Sequence, residues 1–273
     1  MKAQVLLSCM FSDYEIVKKS NLENVPTLIV NQCDSMFSIE KTDALHSIYN
    51  TPERGLSKSR NMAIRNSNYD ICVISDDDEV FINGFLTEIE KIYDTIPDAD
   101  VIVVKIKNFP EKFRSNSKIK RLTKLDLLKV SSQQITFKRN SVLKNNIWFN
   151  ELLGAGTGNG AGEENAFLLQ CYKKHLRIYY APIEIAYVKE DSTSTWFRGF
   201  DFDYFYDRGA TLRYIYGFFF SSLYSFYYLV SKHRLYKGTI NFSRAFKANF
   251  KGIIEDKIKK EEKRINGEKN NKQ

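Results

Sequence analysis

Five short apolar runs, at 4–10, 27–30, 46–49, 71–75 and 101–107, alternate with helix-spaced segments at 13–19, 55–66 and 83–95. Several of the runs are rich in Val and Ile without polar alternation, the pattern of strands buried on both faces. Strand and helix repeated in this way commit the chain to an α/β architecture, a mostly parallel central sheet flanked by helices with right-handed crossovers. Sheets of this kind bind ligands beyond the carboxyl ends of their strands. The residues at those ends are Ser12 and Asp13, then Asn31 to Asp34, then Asp76 to Glu79. Ser57 is placed to cap the helix at 55–66. Further on, 109–129 is basic with weak periodicity and reads as an excursion over the surface. A strand resumes at 135–138, and 163–175 reads as a helix with Phe167, Leu168, Cys171 and Tyr172 facing inward.

Length and charge narrow the function classes. At 273 residues the chain suits one catalytic domain, 1–205, with an appended helical extension, 206–273. The net charge of +8 invites a nucleic-acid reading. Against it, no zinc-finger, helix-turn-helix or RNA-recognition signature accompanies the charge, and the basic residues gather beside aromatic, apolar sequence. That combination fits an anionic membrane surface better, so no nucleic-acid partner is expected. Cys9, Cys33, Cys72 and Cys171 form no Cys-x-x-Cys pair and read as reduced, mostly buried thiols. The opening apolar run at 3–10 is too short for a signal-peptide core, which points to a cytoplasmic location, peripheral on the inner face of the cell membrane.

Three constellations could carry chemistry. Asp76, Asp77, Asp78 and Glu79 directly follow an apolar strand, and acids this close repel one another unless a cation joins them. Carboxylates suit Mg²⁺ or Mn²⁺, which are held by one or two side chains together with substrate phosphates. A solvated acidic turn is the plain alternative. Glu163 and Glu164 open a helix after a loop bearing Gly154, Gly156, Gly158, Gly160 and Gly162. The loop lacks the Gly-Lys-Ser/Thr ending of an ATP-phosphate cradle, and reads as a lid closing over an acceptor beside a carboxylate. First-turn acids also stabilise a helix through its dipole, whatever else they do. Third, Arg60 in the stretch Arg54 to Asn61 could meet a diphosphate or orient one of the acids.

Taken in order, these pieces resemble the inverting family 2 glycosyltransferases of the GT-A fold, over 3–194. Gly55 to Asn61 is similar to that family's Gly-Leu-Ser-x-Ala-Arg-Asn stretch. Asp76-Asp77-Asp78 resembles its Asp-x-Asp metal motif, and Gly162-Glu163-Glu164 its Gly-Glu-Asp. The resemblance implies a nucleotide-sugar donor, UDP-linked first among them, and transfer to a hydroxyl of a glycan or lipid-linked acceptor in surface polysaccharide synthesis. It implies Asp78 on an Mn²⁺ or Mg²⁺ ion, with Asp76 on the donor ribose or a metal-bound water and Asp77 beside them. Glu164 would be the catalytic base with Glu163 adjacent, and Ser8, Ser12, Asn31, Asp34 and Arg60 would surround the nucleotide. The chain departs from the pattern in having Glu164 where Asp is usual, and no His near 189–191. A metal-dependent nucleotidyl- or phosphotransferase, and a non-enzymatic basic membrane-surface protein, are the alternatives.

The aromatic run 214–230 is shorter than the ~20 apolar residues of a membrane span and is broken by serines. Its tyrosines suit the membrane–water boundary, a helix packed on the catalytic domain and a true span being the alternatives, and 255–273 reads as a fraying, charged end.

Overall fold

The computed structural model describes residues 1–41, 43–108, 118–157, 159, 161–189 and 199–270. Parts of the basic excursion, of the glycine loop and of the stretch after Lys189 lie outside them. The chain divides into two compact units, Met1–Asn150 with Glu164–Ser192, and Glu151–Glu163 with Thr193–Gln273.

The first unit runs β1 (Ala3–Met10), α1 (Glu15–Lys19), β2 (Thr27–Gln32), β3 (Ser38–Lys41), β4 (His46–Thr51), α2 (Leu56–Asn66), β5 (Ile71–Asp76), β6 (Glu79–Phe81), α3 (Phe85–Thr95), β7 (Val101–Ile106), β8 (Lys120–Arg121), β9 (Ile135–Lys138), α4 (Arg139–Lys144), α5 (Glu163–Lys173) and β10 (Ile178–Val188). The strands form one sheet in the order β3-β4-β2-β1-β5-β9-β7-β10-β6, with β8 paired to β10. β4, β2, β1 and β5 are parallel, as the alternating pattern predicts. Beyond them β9 runs antiparallel between β5 and β7, so the sheet is mixed.

Both faces of the central strands are covered. Val5 and Leu7 of β1, with Val73 of β5, pack into one core beneath α3. Leu6, Cys72 and Ile74 face the other, with Ile64, Phe137 and Phe167. Side chains alternate across a strand, so a strand covered on both faces must be apolar at every position, and the runs in the sequence are. Burial pushes the Cys9 and Cys72 thiols up to about 12, keeping them protonated.

Three sequence expectations change. Ser57 does not cap α2: Gly55 does, with φ 123° and its N–H donated to Gln32 Oε1 at 2.8 Å, while Ser57 is buried in the first turn. Tyr172 is 40% exposed, because it lies at the end of α5, where a phenol keeps its hydroxyl in water. The described part of the surface excursion is pinned down: β8 pairs with β10, and Leu122 and Leu127 are buried.

Asp126 holds that segment. Its carboxylate accepts the Thr123 N–H at 3.0 Å and hydroxyl at 2.9 Å, and it meets Lys129 and Lys120. Burial would raise its pKa, but these donors bring it down to about 2. A depressed pKa stabilises the fold above the unfolded value near 4 and ceases to do so as pH falls through the folded one. Asp126→Asn should therefore cost about 1–2 kcal/mol at neutral pH, with the difference shrinking between roughly pH 4 and 2. Urea titrations of both proteins across that range check it.

The second unit is helical, with α6 (Phe202–Tyr216), α7 (Phe218–Ser231), α8 (His233–Tyr236), α9 (Phe242–Glu255) and α10 (Lys257–Asn270). Asp201 and Asn241 cap α6 and α9 by accepting N–H groups three residues on. α6 and α9 touch backbone to backbone: a Cβ on Gly252 would sit 2.0 Å from the Tyr206 carbonyl oxygen, and one on Gly209 2.0 Å from that of Asn249. Gly252→Ala must push the helices apart, at about 1–3 kcal/mol, and should lower the thermal midpoint of the full chain by several degrees. None of the described helices is long and apolar enough to cross a membrane.

Candidate active site

The acidic cluster is built at the carboxyl end of β5. The chain leaves the sheet at Asp76, turns through Asp77 and Asp78, and returns as β6, antiparallel to β10. Glu79 closes the turn, with its Oε2 accepting the Asp76 N–H at 3.0 Å. It is fully buried, and burial first, then the Asp76 charge, raises its carboxyl well above the usual range. Burial and the neighbouring charge thus both act against ionisation of Glu79.

Arg60 answers the charge of Asp76. Its guanidinium, 0% exposed, donates from Nη2 to Asp76 Oδ1 at 2.8 Å and Oδ2 at 3.1 Å. Of the two roles open to Arg60 in the sequence, this is the orienting one. Ser132 Oγ lies 3.4 Å from the same carboxylate, and Gln133 Nε2 donates to Asp78 Oδ1 at 3.3 Å. Burial, then Asp76 and Asp78, raise Asp77. Lys189 clasps the turn from β10's end, with Nζ donating to the Asp77 carbonyl at 3.0 Å and its N–H to that of Asp78 at 2.9 Å.

The motif from Gly55 to Asn61 is the hub. Ser59 Oγ donates to Ser8 Oγ at 2.9 Å, which buries Ser8 against α2. Asn61 grips the backbone of Phe149 from both sides, at 2.9 Å each way. The Arg60 guanidinium lies 5.3 Å from the centre of the Phe149 ring, whose other neighbour is Phe167 of α5, stacked at 4.3 Å. A continuous line of contacts therefore joins Asp76 to α5, whose first turn holds Glu163 and Glu164. Asn165 anchors that turn by donating to the Leu127 carbonyl at 2.9 Å. Glu163 is buried and Glu164 half-buried.

A second group lies at the ends of β1, β2 and β4. Asn31 is buried; its Oδ1 accepts the Ser12 N–H at 3.0 Å, and its Nδ2 donates to the Ser12 carbonyl at 2.8 Å and Asn50 Oδ1 at 2.9 Å. Asp34 is exposed and pairs with Arg54. Arg54 lies 5.1 Å from the ring of Phe11, an exposed aromatic with φ 49°.

The sequence reading missed Phe11, Ser132, Gln133 and Lys189. Phe11 follows a strand and was open to the same rule that found Ser12. The other three reach the acidic turn only through strand order, which the sequence does not display. The glycine loop is closed on itself among the described residues: Gly154 N–H donates to the Asn159 carbonyl at 2.9 Å, and Asn159 Nδ2 to that of Leu152 at 3.0 Å.

Among the described residues no three His, Cys, Asp or Glu side chains gather as a metal cage. The donor set at the turn is instead two hard carboxylates, Asp76 and Asp78, with Asp76 already turned by Arg60. That set fits a divalent cation that takes its remaining ligands from phosphate and water.

Comparison with known proteins bears on the fold. Residues 27–156 match the model of glycosyl transferase family 2. No curated protein matches the chain in sequence. Among solved structures, S. aureus TarS 1–349 in complex with UDP-GlcNAc is similar with a TM-score of 0.58 at 18% identity, over 77% of this chain and 65% of that one. TarS 1–349 in complex with UDP gives 0.53 at 16%, over 79% and 67%. TarS 1–349 alone gives 0.55 at 17%, over 77% and 64%, so the chain spans a little under two thirds of that relative. Residues 27–156 thus match a glycosyl transferase family 2 domain, set in a central mixed sheet flanked by helices that has the GT-A fold of these neighbours.

Proposed function

We propose that this protein transfers a sugar, with inversion, from a nucleotide-diphosphate donor to a hydroxyl of a glycan or lipid-linked acceptor, with 1–205 as the catalytic part and 206–273 as its extension. The observation that carries the reading is the buried Arg60 holding Asp76 at the carboxyl end of β5, on a line of contacts that leads to the helix of Glu164. The neighbours solved with UDP and UDP-GlcNAc support a UDP-sugar as donor. Surface polysaccharide synthesis, on the cytoplasmic face of a membrane, is the setting this donor and acceptor chemistry suits.

Asp78 and Asp76 would hold Mn²⁺ or Mg²⁺, which supplies positive charge against the donor diphosphate. Lys189 adds a cation fixed on the same turn. Ser12, Asn31 and Asp34 frame the nucleoside, and Ser8 steadies the strand beneath it. Glu164 takes the proton of the acceptor hydroxyl as its oxygen bonds to the sugar's anomeric carbon. The bond from that carbon to the diphosphate oxygen breaks on the opposite face, and the electron pair leaves with the nucleoside diphosphate. Glu163, beside the base, keeps that end of α5 acidic.

Calorimetric titration with UDP, GDP and CMP, each with and without Mn²⁺, tests the donor site without the acceptor. UDP should bind in the presence of Mn²⁺, and Asp78→Asn should weaken it by about tenfold or more, as expected when one of the two carboxylates that would hold the cation is lost. Absence of binding by all three nucleotides would remove the transferase reading.

A further inference from the structure

The outer face of α7 is the reverse of what water selects. Its buried positions include Ser221 and Ser225, both 0% exposed, while Phe219, Leu223, Phe226, Tyr227 and Val230 point outward, with Phe219 83% and Leu223 75% exposed. These five are spaced i, i+4, i+7, i+8 and i+11, a single stripe along one side of the helix. A continuous exposed stripe of four apolar side chains and one tyrosine, with Ser221 and Ser225 on the buried side, marks a surface made for an apolar partner.

Charge says which one. Between Asp207 and Glu255 the sequence contains no acidic residue and eight basic ones. The rest of the chain holds 33 basic and 33 acidic residues, so the whole net charge of +8 resides in this segment. Lys232, Arg234 and Lys237 are exposed immediately beyond the stripe's last residue. Aromatic and branched apolar side chains beside cations fit an interface with anionic headgroups above and acyl chains below. At 14 residues, α7 is too short to span that layer and long enough to lie in it.

We propose that α7 is a membrane-docking helix: its Phe219–Val230 stripe inserts into the boundary of an anionic bilayer, and the basic residues that follow it engage lipid phosphates. This does not depend on the transfer chemistry, and it confines the acceptor to molecules carried at a bilayer surface.

The full chain should co-sediment at low salt with vesicles of phosphatidylcholine and phosphatidylglycerol, and more weakly with phosphatidylcholine alone. Phe219→Ser with Phe226→Ser should weaken the partition by at least about tenfold on both vesicles. Lys232→Gln with Arg234→Gln should weaken it by roughly 10- to 30-fold on the anionic vesicles only. All four side chains except part of Phe226 stand clear of the core, so thermal midpoints should hold, and UDP titration in the absence of vesicles should match wild type. A wild-type chain that stays in the supernatant with both vesicles overturns the proposal, as does a phenylalanine variant that sediments like wild type. Light scattering that shows a wild-type oligomer dissolved by the phenylalanine changes assigns the stripe to a second copy instead. Loss of UDP binding with vesicle binding intact would count against the transferase reading alone.

Discussion

Glu164→Gln is expected to lower turnover by about 10²- to 10⁴-fold, the usual contribution of a general base, while the affinity for UDP stays within about twofold of wild type. The amide keeps the size and hydrogen-bonding reach of the carboxylate but cannot accept the acceptor's proton. The side chain stands in the first turn of α5, which Asn165 ties to the Leu127 carbonyl and Phe167 ties to Phe149. The substitution therefore removes a proton acceptor from an anchored position, and the loss should fall on kcat. Steady-state rates of UDP release, with the nucleotide affinity measured separately by calorimetry, separate the two terms. A variant that turns over at the wild-type rate leaves Glu164 as a helix-end acid, stabilising through the dipole and nothing more.

Asp76→Asn should destabilise the protein by about 3–5 kcal/mol, because it takes the carboxylate of a partly buried ion pair away from the fully buried guanidinium of Arg60. On a domain of this size that is roughly a 10 °C fall in thermal midpoint. The double variant Arg60→Met with Asp76→Asn should recover part of the loss, since it removes the buried cation whose carboxylate is gone and leaves an apolar side chain against Phe149. Calorimetric midpoints of the single and double variants decide the matter, and a single variant as stable as wild type would end the claim that Asp76 neutralises Arg60. The result bears on how donor-site variants are read. A drop in UDP binding by Asp76→Asn mixes lost ligation with lost structure, whereas Asp78, whose side chain meets Gln133 at 3.3 Å, offers the cleaner test.

The same pair shows how far the sequence could be read. Gly55 to Asn61 and Asp76 to Asp78 were both visible as motifs, and their order along the chain carried the resemblance to family 2. What each residue does inside them was not visible. Ser57 looked like a cap and is buried in the helix, Ser59 holds β1, Arg60 holds the acidic turn, and Asn61 holds Phe149. Three successive residues on one helix, Ser59, Arg60 and Asn61, serve three different partners, an arrangement local spacing does not encode. The acidic run likewise read as four mutually repelling charges. Folding eases the repulsion by setting a guanidinium beside Asp76, while burial raises the Glu79 carboxyl above its usual range.

By itself the sequence determined the parallel strands β1, β2, β4 and β5 and the helices α2 and α3 of the first hundred residues, though not the short antiparallel β3 and β6. A strand covered on both faces has to be apolar throughout, and such runs, alternating with helical periods, leave few arrangements. It also determined where a site could lie, since polar residues that follow buried strands gather at one edge of a parallel sheet. Tertiary structure decided the rest: the antiparallel entry of β9 between β5 and β7, the approach of Ser132, Gln133 and Lys189 to the acidic turn, and the outward face of α7. These depend on contacts between residues from about 20 to more than 100 positions apart, such as Tyr204 with Tyr228 and Lys189 with Asp77, and pairings over that distance are set by which surfaces fit when the layers pack. Periodicity reports a residue's immediate neighbours; charge neutralisation and the supply of distant ligands are properties of the packed whole.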